Sequence, residues 1–109
     1  MARIEGYAVD LETGERVFYG VVKILDENDK EIVDESGKQI GTTSTDMRGE
    51  FGIDVPAGKR YKVCFLSQLY QPTCFKVIDD EGKWTELSED GRRVRVNTKR
   101  IALGGGAGG

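Results

Sequence analysis

Residues 45–65 carry the strongest constraint on the fold: Thr45-Asp46-Met47-Arg48-Gly49-Glu50-Phe51-Gly52-Ile53-Asp54-Val55-Pro56-Ala57-Gly58-Lys59-Arg60-Tyr61-Lys62-Val63-Cys64-Phe65. Asp46 and Gly49 suit the first and last positions of a type I turn, and Pro56 and Gly58 suit the second and fourth positions of another. Between these turns Phe51, Ile53 and Val55 alternate with Gly52 and Asp54. Beyond them Tyr61, Val63 and Phe65 alternate with Lys62 and Cys64. A period of two with one apolar face describes antiparallel strands that each pack one side on a core.

The same grammar extends along the chain. Turn signals occur at Leu11-Glu12-Thr13-Gly14, Asp26-Glu27-Asn28-Asp29, Asp34-Glu35-Ser36-Gly37, Asp79-Asp80-Glu81-Gly82 and Ser88-Glu89-Asp90-Gly91, with a further loop at Gln71-Pro72. Turns every ~8–12 residues mark an all-β sandwich or barrel. No long window carries a helical period, so no substantial helix is expected. The predicted strands are 3–10, 16–26, 30–33, 39–45, 50–55, 60–67, 73–79, 83–87 and 92–103, with 26–41 a small inserted hairpin. Alternation assigns Ile4, Val22, Ile24, Phe51, Ile53, Val55, Tyr61, Val63, Phe65, Phe75, Val77, Val94 and Val96 to the core. Val94 and Val96 share one parity and Ile101 and Leu103 the other, which predicts a bulge or bend near Asn97-Thr98.

Pairing Val63 with Phe75 and Tyr61 with Val77 keeps both apolar sets inward. That register sets Cys64 opposite Cys74 on the outer face, within disulfide range. It also sets Lys62 opposite Lys76, a mildly unfavourable pair that argues against the register. A disulfide is the preferred reading; two unpaired thiols are the alternative in a reducing compartment.

A chain of 109 residues fits one domain. The expected division is a sandwich over 1–103 and a flexible tail over 104–109, because Gly104, Gly105, Gly106, Ala107, Gly108 and Gly109 offer almost nothing to pack. A net charge of -3 argues against a nucleic-acid partner, which needs a basic footprint. No apolar run suits membrane insertion, and the first residues carry no signal-peptide core. The compartment stays open between the producing cell, a virion and a cell surface reached through a leader or parent chain. There is no histidine, which removes the commonest general base and neutral metal ligand. Two cysteines cannot build a zinc site alone. No cofactor, metal or catalytic residue is therefore expected.

The series Ile4-x-Gly6-x-Ala8-x-Asp10, Thr13-Gly14, Gly20-Val21-Val22 and Thr45-Asp46-x-x-Gly49-x-Phe51-x-Ile53-x-Val55-Pro56-Ala57-Gly58-x-x-Tyr61-x-Val63 resembles the carboxypeptidase regulatory-like domains. These are transthyretin-like, or prealbumin-like, β-sandwiches. The resemblance covers residues 3–65 well and the remainder loosely. It implies an Ig-like/transthyretin-like antiparallel β-sandwich of about seven strands. Its members serve as accessory domains, adhesin stalk modules, carbohydrate-associated modules and structural repeats, so it implies a scaffold that hosts several functions. Hydrolases and intradiol dioxygenases sharing this broad fold rely on histidines, which this chain lacks.

Other features have a sharper and a blander reading. Some pilin sandwiches carry an internal Lys–Asn isopeptide bond; Lys23 and Asn97 are candidates, but alternation turns Lys23 outward. Asp26, Glu27, Asn28, Asp29, Glu31, Asp34 and Glu35 suggest a hard cation, yet lack EF-hand spacing and suit solvated turns better. Arg92, Arg93, Arg95, Lys99 and Arg100 form either a docking stripe or a charge-protected edge strand. The glycine tail suggests a Gly-Gly carrier or modifier, whose β-grasp helix is not evident. Tyr7, Tyr19, Tyr70 and Trp84 are the only aromatics that could support glycan binding. The preferred function is a non-catalytic structural or protein-interaction module, a subunit of an assembly such as a virion or surface filament. The Gly-Gly carrier and a glycan-binding accessory domain are the alternatives.

Overall fold

The computed structural model describes residues 1–102. Its strands are β1 (Ala2–Asp10), β2 (Val21–Asp26), β3 (Thr42–Ser44), β4 (Glu50–Val55), β5 (Tyr61–Ser67), β6 (Tyr70–Lys76) and β7 (Arg92–Thr98). They form a three-stranded sheet in the order β4-β1-β7 and a four-stranded sheet in the order β3-β2-β5-β6. The protein is a β-sandwich with no helix among the described residues.

The core is the alternation made solid. Ile4 from β1, Phe51, Ile53 and Val55 from β4 and Val96 from β7 face Val22 and Ile24 from β2 and Tyr61, Val63 and Phe65 from β5. All are buried. Phe75 and Val94 lie only half-buried, because they sit on β6 and β7, where the sandwich opens at its edge. Ile32 and Leu87 also reach the core from outside the named strands, where no alternation marks them.

One pairing departs from the antiparallel expectation: β1 and β7 run parallel. Side-chain alternation is the same in either direction, so it carries no signal of strand polarity. The close approach of these strands depends on Gly6, where a Cβ would lie 1.9 Å from the Val94 carbonyl oxygen.

Several predicted strands shrink. Segments 16–20, 30–33, 39–41 and 83–87 hold the sheets through isolated bridges such as Val9 to Arg16, Leu25 to Glu31, Val33 to Gln39 and Arg60 to Glu86. Pro72 lies inside β6 rather than in a loop. This is tolerated because β6 is an edge strand, where a missing N–H need not break a ladder. The bend near Asn97-Thr98 is not needed: Val96 and Thr98 keep one inward parity, and the chain then leaves the sheet to bridge Arg100 with Tyr70. The register shift falls instead in β5, between Phe65 and Ser67.

A repeated turn builds the hairpins. In each of Asp26, Asp34, Asp46 and Asp79 the Oδ1 atom accepts the N–H groups two and four residues on, at 2.8–3.0 Å. The fourth residue of each turn is left-handed: Gly37, Gly49 and Gly82 in three cases, and Asp29 (φ 63°) in the fourth. The Asp-x-x-Gly spacing in the sequence is the trace of this geometry.

Candidate functional site

The basic residues of the C-terminal segment do not form one row. In β7 Arg92, Val94, Val96 and Thr98 turn toward the sandwich, and Arg93, Arg95 and Asn97 turn outward. The outward arginines stand beside Glu5 and Tyr7 of β1. Arg95 donates its Nε–H to Asn97 Oδ1 at 2.9 Å, and its guanidinium lies 5.9 Å from the centre of the Tyr7 ring. Arg92 pairs with Asp80 at 3.1 Å. Lys99 and Arg100 lie past the strand, and Arg100 is drawn away to Asp10.

Arg92, Arg93 and Arg95 are brought together at a cleft of about 430 Å³ between β6 and β7. Phe75, Ile78 and Val94 form its apolar floor, and Lys76 completes the basic rim. The cleft follows from topology: β6 and β7 are the last strands of their sheets and lie on the same side of the sandwich. Unpaired strand edges with apolar side chains at their base are sites where other chains add.

At the opposite edge β3 and β4 are neighbours. The inserted hairpin of residues 26–41 connects β2 to β3 along the chain, and its Asp29 reaches Lys62 of β5. Its carboxylates do not converge: Asp26 and Asp34 hold their own loops, while Glu31 and Asp29 pair with Lys23 and Lys62. The backbone N–H of Lys30 foremost holds the Asp26 carboxyl below the usual range, and the Ser36 hydroxyl foremost does the same for Asp34. Among the described residues no group of acidic or cysteine side chains is arranged to hold a metal ion. Lys23 pairs with Glu31 at 3.3 Å from the outer face of the four-stranded sheet, while Asn97 belongs to the other sheet, so the two cannot meet.

Cys64 and Cys74 are directly opposed, with Cα atoms 4.0 Å apart and sulfurs 2.05 Å apart. Cys64 is buried and Cys74 is exposed. Lys62 does face Lys76. Two neighbours relieve the repulsion: Asp29 Oδ1 lies 2.7 Å from Lys62 Nζ, and the face of Trp84 lies under both ammonium groups.

The strongest polar cluster is one that alternation does not mark. Asp10 is buried at the end of β1. Its Oδ1 accepts the N–H groups of Glu12 and Thr13, and its Oδ2 accepts the Tyr70 hydroxyl at 3.0 Å and Arg100 Nε–H at 3.3 Å. Burial pushes the carboxyl up, but these four hydrogen bonds outweigh it and hold it below the ordinary value. Burial and the neighbouring Asp10 carboxylate push the Tyr70 hydroxyl up. Every buried side-chain polar atom is engaged, so the cluster is a clasp joining β1, β6 and the C-terminal segment. The signal available in sequence is Asp10 just before the Leu11–Gly14 turn.

A recess of about 650 Å³ lies among Phe18, Tyr19, Val21, Leu66, Leu69 and Pro72. Phe18 and Tyr19 are exposed and meet edge to face. Trp84 and Tyr7 are half-buried beneath cations, and Tyr70 is buried. The residues Gly104 to Gly109 lie outside the described residues.

No protein-family model and no curated protein sequence matches the chain. Solved structures do. The major pilin subunit BcpA of Bacillus cereus superposes with a TM-score of 0.63 at 16% identity, covering 92% of this chain and 30% of that one. The minor pilin GBS52 of Streptococcus agalactiae gives 0.62 at 12% identity, covering 94% and 45%. The chain shares the β-sandwich fold of these pilins. The 5-hydroxyisourate hydrolase of Klebsiella pneumoniae, at 0.59 and 13% identity, covers 94% of this chain and 93% of its own. The fold is thus consistent with the transthyretin-like, Ig-like class. The chain spans less than half the length of either pilin.

Proposed function

We propose that this protein is a non-catalytic structural module that assembles with copies of itself, as a subunit or domain of a surface filament. The observation that carries the reading is the likeness to pilin subunits over more than nine-tenths of the chain. The carboxypeptidase regulatory-like resemblance supports the same use, since such domains serve as stalk modules. A virion shell would use the same self-association.

The chemistry of the clasp favours scaffold over enzyme. The buried Asp10 carboxylate is taken up by the Tyr70 hydroxyl, the Arg100 Nε–H and two backbone N–H groups. A transthyretin-like hydrolase needs histidines, and the chain contains none. The glycan alternative draws little support, because Phe18 and Tyr19 meet edge to face rather than as a flat platform. The carrier alternative calls for a helix-containing β-grasp, whereas the described residues are all-β.

Sedimentation velocity and negative-stain microscopy across a concentration series test this reading. Growth of species larger than the monomer is expected. A protein that stays monomeric up to about 100 µM, a concentration at which even weak specific contacts populate, would contradict it. Turnover of 5-hydroxyisourate would replace it with an enzymatic one.

A further inference from the structure

We propose that copies of this protein join head to tail, the acidic hairpin of residues 26–41 of one copy seating Val33 in the basic-rimmed cleft between β6 and β7 of the next. The inference rests on the self-assembly reading and names its interface.

The two surfaces are complementary in charge. Residues 26–41 hold six carboxylates and two lysines, whereas residues 92–100 hold five basic side chains and no carboxylate. In a chain whose overall charge is -3, this separation is local and large. The charges are available for a partner. Among the described residues Glu27 and Glu35 make no ion pair, and neither do Arg93 or Arg95. The only carboxylate on the Arg92 guanidinium is that of Asp80, itself 95% exposed and weakly held.

They are also complementary in polarity. Val33 is exposed next to the turn of Asp34 to Gly37. Beside it Met1, Ile40 and Pro56 extend an apolar recess. The cleft presents Phe75, Ile78 and Val94 with lysine and arginine around them. An apolar contact ringed by opposite charges has the make-up of a specific interface.

Placement makes the occupant a second copy. Within one molecule the hairpin does not enter the cleft: among the described residues its carboxylates pair with Lys23 and Lys62 rather than with the cleft arginines, and no hairpin residue lines the cleft. Two different, complementary patches form a heterologous contact, which propagates from copy to copy rather than closing as a two-fold dimer.

Two variants test the pairing. Glu27→Lys with Glu35→Lys levels the hairpin charge, and Arg93→Glu with Arg95→Glu levels the rim, where Lys76 and Arg92 remain. The acidic side chains chosen support no turn, and the arginines are exposed, so melting temperatures should stay near wild type. Each double variant alone should weaken self-association, read by sedimentation velocity, by about tenfold or more. Wild-type association should weaken on raising salt from about 0.05 M to about 0.5 M. Mixing the two variants should restore one wild-type contact, and so pairs of unlike copies, because the unaltered hairpin of one then meets the unaltered cleft of the other. Val33→Ser with Ile78→Ser should weaken association even at high salt.

Undiminished assembly by both double variants would overturn this interface and leave the self-assembly reading standing. Loss of assembly in each with no pair of unlike copies on mixing would show that the two surfaces do not meet each other, and would equally overturn it. A wild-type protein that never associates would overturn both readings.

Discussion

The glycines of this sandwich divide by what their missing Cβ does. At Gly37 φ is +85° and nothing lies within reach of an added methyl, so Gly37→Ala carries only the left-handed backbone cost, about 1–2 kcal/mol. At Gly6 the added methyl would strike the Val94 carbonyl, and the parallel β1–β7 pair would have to separate. Gly6→Ala should cost at least about 3 kcal/mol, among the severest single substitutions available. Denaturant melts of the two variants check the order; equal costs would show that β7 can shift away. The turn aspartates set an acid limit by the same local logic. Folding lowers the carboxyls of Asp26, Asp34 and Asp46 through N–H and hydroxyl donors in their own loops, and lowers Asp10 through the clasp. The resulting stability is present above the unfolded carboxyl value. It should fall as the pH drops below about 4 through the still lower folded values. Tyr61 and Tyr70 are raised by burial, so stability should also fall as the pH climbs past about 10. Thermal melts from acid to alkali should show both flanks.

Among the elements, the β5–β6 hairpin carries the cross-link. Cys64 and Cys74 are separated by ten residues, and closing a loop of that size is worth about 2–3 kcal/mol in chain entropy. In protein purified without reductant, thiol titration after denaturation should find no reactive thiol. Reduction should lower the melting temperature while leaving the sandwich folded, because Phe65, Val63 and Tyr61 of β5 are held independently in the core. Two thiols per chain would show that the opposed cysteines stay reduced. The register itself is chosen by the core. Val63 and Phe75 must both face inward, and Lys62 and Lys76 are carried along as a like-charge pair. Asp29 and Trp84, which arrive from a different hairpin and from the segment after β6, make that pair tolerable.

For the whole molecule, closure of the sandwich at one end depends on a polar contact rather than on apolar area. Asp10, Tyr70 and Arg100 tie the three-stranded sheet to the four-stranded sheet and hold the chain as it leaves β7. Tyr70→Phe removes one hydrogen bond from a buried carboxylate and should cost about 1–2 kcal/mol. Amide exchange should then quicken around Gln71 and Ile101, whose N–H groups bond across this junction to Lys99 and Leu69. Unchanged exchange there would mean that Arg100 alone suffices. At the far end of β7 the same strand offers its arginines to the open cleft, so one element serves both to close the fold and to present the proposed assembly surface.

Alternation and Asp-x-x-Gly spacing determined the all-β class, the turns, most of the core and the facing of Cys64 with Cys74, because each depends on neighbours within a few residues or one hairpin. The pilin-like sandwich over nearly all of the described chain agrees with that class. The candidate surface was legible only as a list of basic residues, Arg92, Arg93, Arg95, Lys99 and Arg100. Tertiary structure decided which of these share a cleft, that Arg100 belongs to a clasp, that β7 runs parallel to β1, and that the acidic hairpin reaches Lys62 of β5. Strand polarity and sheet order leave no mark on residue periodicity, since both are set by how distant segments bury their apolar faces together.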